Sequence, residues 1–502
     1  MKKSVKGIIG LGGVLVVLGG GLAALKLTEP KEEAEESSEY SSEAEGAGIT
    51  LVSDASGGTI SKVTVKNRTD ELEILLSSPA DDSAAAKYTL GGYEDVPLET
   101  SVVGTLANNA NGLTSNSIVA EDCEDTAKYG FDDPEAEVTV VYDTGTEFSF
   151  IVGDTAPTGT DVYFMFEGDD TVYTVPAAKM ANYSKTTYDF MSATMLEEPA
   201  EEEYPIVESL RIEREDIDYD IYLEYDSKSD DSDYTGGTSA THIMREPAFS
   251  YLSVDDSTPI TNGMFGLTAN EVYRVHAESA DIAEAGLDQP FCKATMSCDN
   301  GEEYVLLMSE AFISENGEKL HYAMFEGSNV IYIVSAENAK WATVKPIEIA
   351  SKILFGTYVW NISSMNINAE GLEDISFDIS LKDGVDENAE SYSVDDVNVT
   401  KNGAVYDAER YRQFYSFLVQ ASAEEFALDA EIPSAEPMVS IEICDSYVDV
   451  TQKVEFYDYS ALNALIVIDG EARFLCGKSY VETIIENAKR IDTGEDYVLT
   501  WR

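Results

Sequence analysis

The chain repeats itself, and this limits what it can fold into more than any other feature. Asp125 to Val152 aligns without gaps onto Asp281 to Met308, with identities at Ala127/Ala283, Gly130/Gly286, Asp132/Asp288, Pro134/Pro290, Thr139/Thr295, Asp143/Asp299, Gly145/Gly301 and Glu147/Glu303. After a short insertion, Tyr163, Met165, Phe166, Glu167, Gly168, Tyr173 and Val175 fall on Tyr322, Met324, Phe325, Glu326, Gly327, Tyr332 and Val334. A fainter third copy follows, with Leu428-Asp429 and Pro437 at the corner, Ile441 and Ile443 in the strand, and Asp469-Gly470 at the turn. Such self-similarity predicts tandem units that share one local structure.

The residues within a copy say what that structure is. Val138, Val140 and Tyr142 alternate, Asp143-Thr144-Gly145 punctuates, and Phe148, Phe150 and Val152 alternate again. That is the period-two pattern of two half-buried strands joined by a tight turn. A second hairpin, Val162–Phe166 and Thr171–Val175, turns at Glu167-Gly168-Asp169-Asp170, where glycine takes positive φ at no steric cost. Tyr411, Phe414, Tyr415, Leu418 and Val419 mark one face of a helix that Asp407 can cap. Ser479 and Glu482 read as a capping box for a closing helix with Val481, Ile484, Ile485 and Ala488 on its apolar face. The expected fold is α+β: tandem antiparallel β-meander units with flanking helices, preceded by one N-terminal transmembrane helix.

That helix is Gly7 to Leu25, an uncharged run of 19 residues that spans roughly 30 Å as a helix. Lys2, Lys3 and Lys6 precede it, and Glu29 to Glu45 carries eight glutamates against one lysine. The positive-inside rule leaves the N-terminus in the cytoplasm and sends the body outward. A cleaved signal peptide, with Gly21-Leu22-Ala23 as its site, is the competing reading. The serine- and glutamate-rich segment up to Gly48 cannot bury a core and reads as a disordered stalk. The expected division is a cytoplasmic N-terminus at 1–6, an anchor at 7–25, a stalk at 26–48, and units at 49–196, 204–358 and 359–502.

A formal charge of −63 repels nucleic acid and favours cationic or basic protein surfaces. The cysteines at 123, 292, 298, 444 and 476 form no CxxC pair and read as small buried hydrophobes. His242, His276 and His321 are scattered, and with so many carboxylates no catalytic pair stands out. Asp231, Asp233 and Thr235 begin a calcium-like loop with Gly236 at its sixth position, but His242 occupies the twelfth, the place of the bidentate glutamate. That loop reads as a solvated linker, and no cofactor is expected.

The stretch Lys128-Tyr129-Gly130-Phe131-Asp132-Asp133-Pro134, followed by Ile151-Val152-Gly153-Asp154-Thr155-Ala156-Pro157 and Val172-Tyr173, resembles the bacterial family called domain of unknown function 4340. The resemblance covers the whole first unit. The second unit keeps Gly286, Asp288, Pro290 and Tyr332, but Leu307-Met308-Ser309 replaces the Ile-Val-Gly strand end. The resemblance implies a membrane-anchored extracytoplasmic protein encoded beside ABC-type permeases and gliding-motility-like auxiliary subunits. It supplies no catalytic residues, so Gly130, Asp132, Pro134, Gly153, Gly168, Tyr173, Gly286, Asp288, Pro290, Gly327 and Tyr332 are structural positions. The expected function is that of a non-enzymatic accessory protein whose partner is a permease or auxiliary transport subunit. The alternative is a binder of cell-wall or host glycan, suggested by 29 tyrosines.

Overall fold

A computed structural model describes residues 49–52, 58–80, 84–227, 240–386, 389, 391–446 and 449–501. The expected anchor Gly7–Leu25, the stalk, and the calcium-like loop at Asp231, Asp233 and Thr235 lie outside the described residues. Among the described residues, no helix is long and apolar enough to cross a membrane.

The protein is α+β, mostly antiparallel sheet with a few helices. The first sheet contains β1 (Ile60–Asn67), β2 (Glu71–Ser78), β3 (Lys87–Leu90), β4 (Ser117–Ala120), β5 (Ala136–Tyr142), β6 (Glu147–Thr155), β7 (Asp161–Phe166) and β8 (Val172–Pro176). Their order across the sheet is β3-β2-β1-β5-β6-β7-β8-β4. Between β3 and β4 runs α1 (Thr100–Asn108), and α2 (Ala177–Met180) follows β8.

The second sheet contains β9 (Val207–Arg214), β10 (Ile221–Tyr225), β11 (His242–Glu246), β12 (Glu271–Arg274), β13 (Cys292–Cys298), β14 (Glu303–Met308), β15 (Lys319–Phe325) and β16 (Ile331–Ser335). It adds α3 (Val254–Thr261), α4 (Ser279–Glu284) and α5 (Pro346–Ile349). The third contains β17 (Ile362–Ala369), β18 (Ile375–Leu381), β19 (Val397–Lys401), β20 (Glu425–Phe426), β21 (Val439–Asp445), β22 (Val450–Asp458), β23 (Asn463–Ile468) and β24 (Glu471–Gly477), with α6 (Ala408–Leu418) and α7 (Lys478–Arg490). Apart from short edge pieces, both repeat the first strand order: β11-β10-β9-β13-β14-β15-β16-β12 and β19-β18-β17-β21-β22-β23-β24-β20.

The order follows from burial. The first and fifth strands of each sheet meet at its centre, so every second side chain must be apolar. Ala136, Val138, Val140 and Tyr142 in β5, Cys292, Ala294, Met296 and Cys298 in β13, and Val439, Ile441 and Ile443 in β21 are all buried. Helices cover that face: Val103 and Leu106 of α1, and Tyr411, Phe414 and Leu418 of α6, are removed from water. Each large apolar side chain so buried contributes about 1.5–3 kcal/mol. The first two sheets share one apolar core, and the third has its own, with Phe426 packed against both.

The expected cap of α6 is present: the Asp407 carboxylate accepts from the backbone N–H groups of Glu409 and Arg410 at 2.9 and 3.3 Å. The capping box at Ser479 is not. Helix α7 begins at Lys478 with Gly477 at its N-cap and no side-chain cap. The chain leaves β24 directly into the helix, so Ser479 is already inside it and its carbonyl accepts from Thr483 Oγ1 at 2.6 Å.

Candidate interaction surface

The motif residues of the first copy build a corner on the outer face of the sheet, away from the helices. Ala127 to Tyr129 form one 3₁₀ turn, and Gly130 reverses the chain at φ 82°. A Cβ on Gly130 would lie 2.5 Å from the Asp154 carboxyl carbon. Gly153, in the adjoining strand β6, lets the corner lie flat: a Cβ there would meet Tyr129 O at 2.2 Å and the Phe131 ring at 2.9 Å. Tyr129, Phe131, Cys123 and Val172 then form a small apolar cluster beneath the turn, with Tyr129 against the edge of Tyr163 at 4.8 Å between ring centres. Pro134 stands just before β5, and Arg68 pins the corner from β1's end, donating to Glu135 Oε1 at 2.6 Å and to Asp133 O at 2.8 Å. Asp132 is exposed, within reach of Thr126 Oγ1 at 3.4 Å.

The second copy builds the same feature from Gly286 (φ 69°), Leu287, Asp288 and Pro290 over Met324 and Ile331. Ser309 takes the place of Gly153, and a Cβ on Gly286 would approach only the Ser309 side chain, at 3.8 Å. The looser corner therefore tolerates serine. Gly168 and Gly327 sit at open hairpin turns at φ 82° and 83°. Tyr173 is half-buried in β8, and burial pushes the Tyr332 hydroxyl up to about 12. The structure gathers Gly130, Pro134 and Gly153 into one corner.

A second feature had no signal in the sequence. Asp95, in the loop before α1, crosses to the second sheet, where it accepts from Asn329 Nδ2 at 2.7 Å and meets His276 Nε2 at 2.9 Å. Tyr93 stacks on the His276 ring at 5.1 Å, 6° from parallel. The bonds from His276 and Asn329 hold the Asp95 carboxyl below its ordinary range. The joint between the second and third sheets uses the matching loop: Arg473 of β24 donates to Phe249 O at 2.8 Å and lies over the Phe249 ring at 5.0 Å. These partners are far apart in the chain, so no local pattern marks them.

The other histidines are packed. His242 Nε2 donates to Val207 O at 2.7 Å and His321 Nδ1 to Ser309 O at 2.8 Å, and burial holds both imidazoles below their ordinary value. All five cysteines are free; burial pushes Cys292 and Cys476 up to about 12 and Cys298 to about 11. Among the described residues, no group of three His, Cys, Asp or Glu side chains could hold a metal ion. A hollow of about 360 Å³ beside α3 and α5 mixes Asp256, Glu337 and Lys340 with Ile260 and Val344.

Fold and corner together define an α+β protein, mostly antiparallel sheet, in which Gly130 and Gly153 shape a close backbone corner. Residues 89–244 match the family described as Domain of unknown function (DUF4340). The match opens in β3 and closes in β11, the strand in the same place in the second sheet. It therefore takes in the corner, Gly153, Gly168 and Tyr173, but is displaced from the whole-first-unit reading: β1 and β2 fall outside it, and β9 and β10 fall within. No curated protein and no solved structure compared with the chain matches it.

Proposed function

We propose that this chain is a membrane-tethered, extracytoplasmic, non-enzymatic accessory protein, three duplicated α+β units displayed on an acidic stalk to a partner in an ABC-type transport system. The observation that carries the reading is the common strand order of the three sheets together with joints made by the same loop of each preceding unit. Linked units of this kind form extended surfaces suited to contacting other proteins. The uncharged segment Gly7–Leu25 and the glutamate-rich segment after it supply the tether and spacer, and the family resemblance supplies the transport setting.

Cross-linking of the full chain in intact cells, followed by identification of what is captured, tests this. Repeated recovery of a permease or auxiliary subunit is the expected result. Recovery of no transport component in replicate experiments would refute it, and capture of cell-wall glycan in its place would favour the glycan-binding class.

A further inference from the structure

Each joint between sheets uses the same two surfaces. The donor is the loop before the unit's first helix: Asp95 precedes the N-cap Glu99 by the same spacing as Phe249 precedes the N-cap Ser253. The receiver is the edge of the next sheet formed by its fourth and eighth strands, β12 and β16 or β20 and β24. The connecting segment docks beside it each time, Ala193 O accepting from Ala269 N at 2.8 Å and Lys352 O from Ala423 N at 3.4 Å.

The first sheet has the same receiving edge, β8 and β4. Its connector place is filled, because Thr50 pairs with Thr114 as Thr194 pairs with Thr268. Among the described residues, no loop fills the donor place. Ile118 and Val119 of β4 are 44% and 38% exposed, whereas Val272 and Tyr273 of the equivalent β12 are half-buried. Residue equivalence at this place is close. Asp122 adopts φ 50° and His276 φ 51°, and Cys123 N donates to Asp170 O at 2.9 Å as Ala277 N donates to Asn329 O at 2.8 Å. Asp122 thus stands where His276 stands, and Asp170 where Asn329 stands. In the second sheet two donors receive an acid; in the first, two exposed acids wait for a donor.

We infer that the β4 edge of the first sheet docks a partner protein through a loop carrying arginine or lysine, the cation meeting Asp122 and Asp170 and the adjoining chain covering Ile118 and Val119. The surface continues an interface the chain already uses twice, and its reversed polarity selects the occupant. A second copy of the chain does not fit. The matching loop of its third unit turns at Asn402-Gly403, its neighbour Lys401 is paired with Asp492, and two chains of charge −63 repel.

The inference rests on the accessory-protein reading above and names its contact. The test places photoreactive benzoylphenylalanine at Ile118, at Val119 or, as a control, at Ile313, which is 66% exposed on the second sheet, in the full chain in intact cells. Adducts at 118 and 119, mapped by mass spectrometry to a partner segment containing arginine or lysine, are expected. Asp122→Lys with Asp170→Lys should cut their yield about tenfold or more. Asp122→Asn with Asp170→Asn, which preserves shape, should lower it in the same direction should the lysine variant fail to fold. Adducts only at 313 would leave the accessory reading standing and overturn this docking surface. So would adducts to a second copy, a mapped segment without a cation, or yields indifferent to both double variants. No adduct at any position would overturn both readings.

Discussion

Replacing Gly153 with alanine tests the claim that the family's signature residues serve backbone packing. The added Cβ would lie 2.2 Å from Tyr129 O, a main-chain atom that cannot rotate away, and 2.9 Å from the Phe131 ring. Either the corner stays and the overpacking costs about 1–3 kcal/mol, or it lifts and loses burial of Tyr129 and Phe131, about 1.5–3 kcal/mol each. The first route is cheaper, so the corner should weaken by about 2 kcal/mol, which corresponds to roughly 30-fold faster local opening. Hydrogen exchange reads this at the amides of Tyr129 and Gly130, which donate to Thr126 O and Ala127 O at 3.0 and 3.1 Å. Gly168→Ala is the control: its Cβ meets nothing within 4 Å, though φ is 82°, so any strain of about 1–2 kcal/mol stays at the far turn. Exchange at Tyr129 and Gly130 as slow in Gly153→Ala as in the parent would refute the packing argument.

Other expectations follow from the same geometry. Asp407→Ala removes the acceptor of two backbone N–H groups at the start of α6 and should cost about 1 kcal/mol, while Ser479→Ala, which caps nothing, should fall within about 0.5 kcal/mol of the parent; urea unfolding compares them. His242 and His321 are held neutral by burial, so the unfolded chain takes up protons first as pH falls below the ordinary histidine value of about 6.5. Stability should therefore drop from pH 7 toward pH 5, and His242→Gln with His321→Asn should flatten that slope in urea titrations. Asp95 has its pKa lowered, so its contribution is full above the ordinary aspartate value of about 3.9 and is lost as pH falls through the lower folded value; Asp95→Asn should remove that acid-side loss at the joint, read by exchange at the Ala277 amide. Cys292, Cys298 and Cys476, with thiols raised to about 11–12, should resist a thiol-selective reagent at pH 8 and become reactive only in denaturant.

Much of the local architecture was legible in the chain, because an alternating strand or an amphipathic helix declares its buried face within a few residues. The hairpins around Gly145 and Gly168, the helix capped by Asp407 and the burial of Cys298 in its strand were all readable this way. The cap at Ser479 misled because a serine-glutamate spacing says nothing about where the preceding strand ends; α7 grows straight out of β24. Gly153 was recognisable as a signature residue but not as the seat of a carbonyl, since the atom that excludes a side chain belongs to Tyr129.

What the sequence alone determined was the repeat and the two periodicities inside it, since a duplicated pattern of apolar side chains has to be buried in the same local way each time. Only the tertiary structure decided that the fourth strand of each sheet travels to the far edge beside the eighth, and that Asp95 reaches His276 and Asn329. Those pairings join residues separated by long stretches of chain, and their selection depends on which surfaces remain after each sheet has closed its core. The open edge at Ile118, Asp122 and Asp170 becomes visible only then, as the one receiving surface among the three sheets for which the described chain provides no preceding unit.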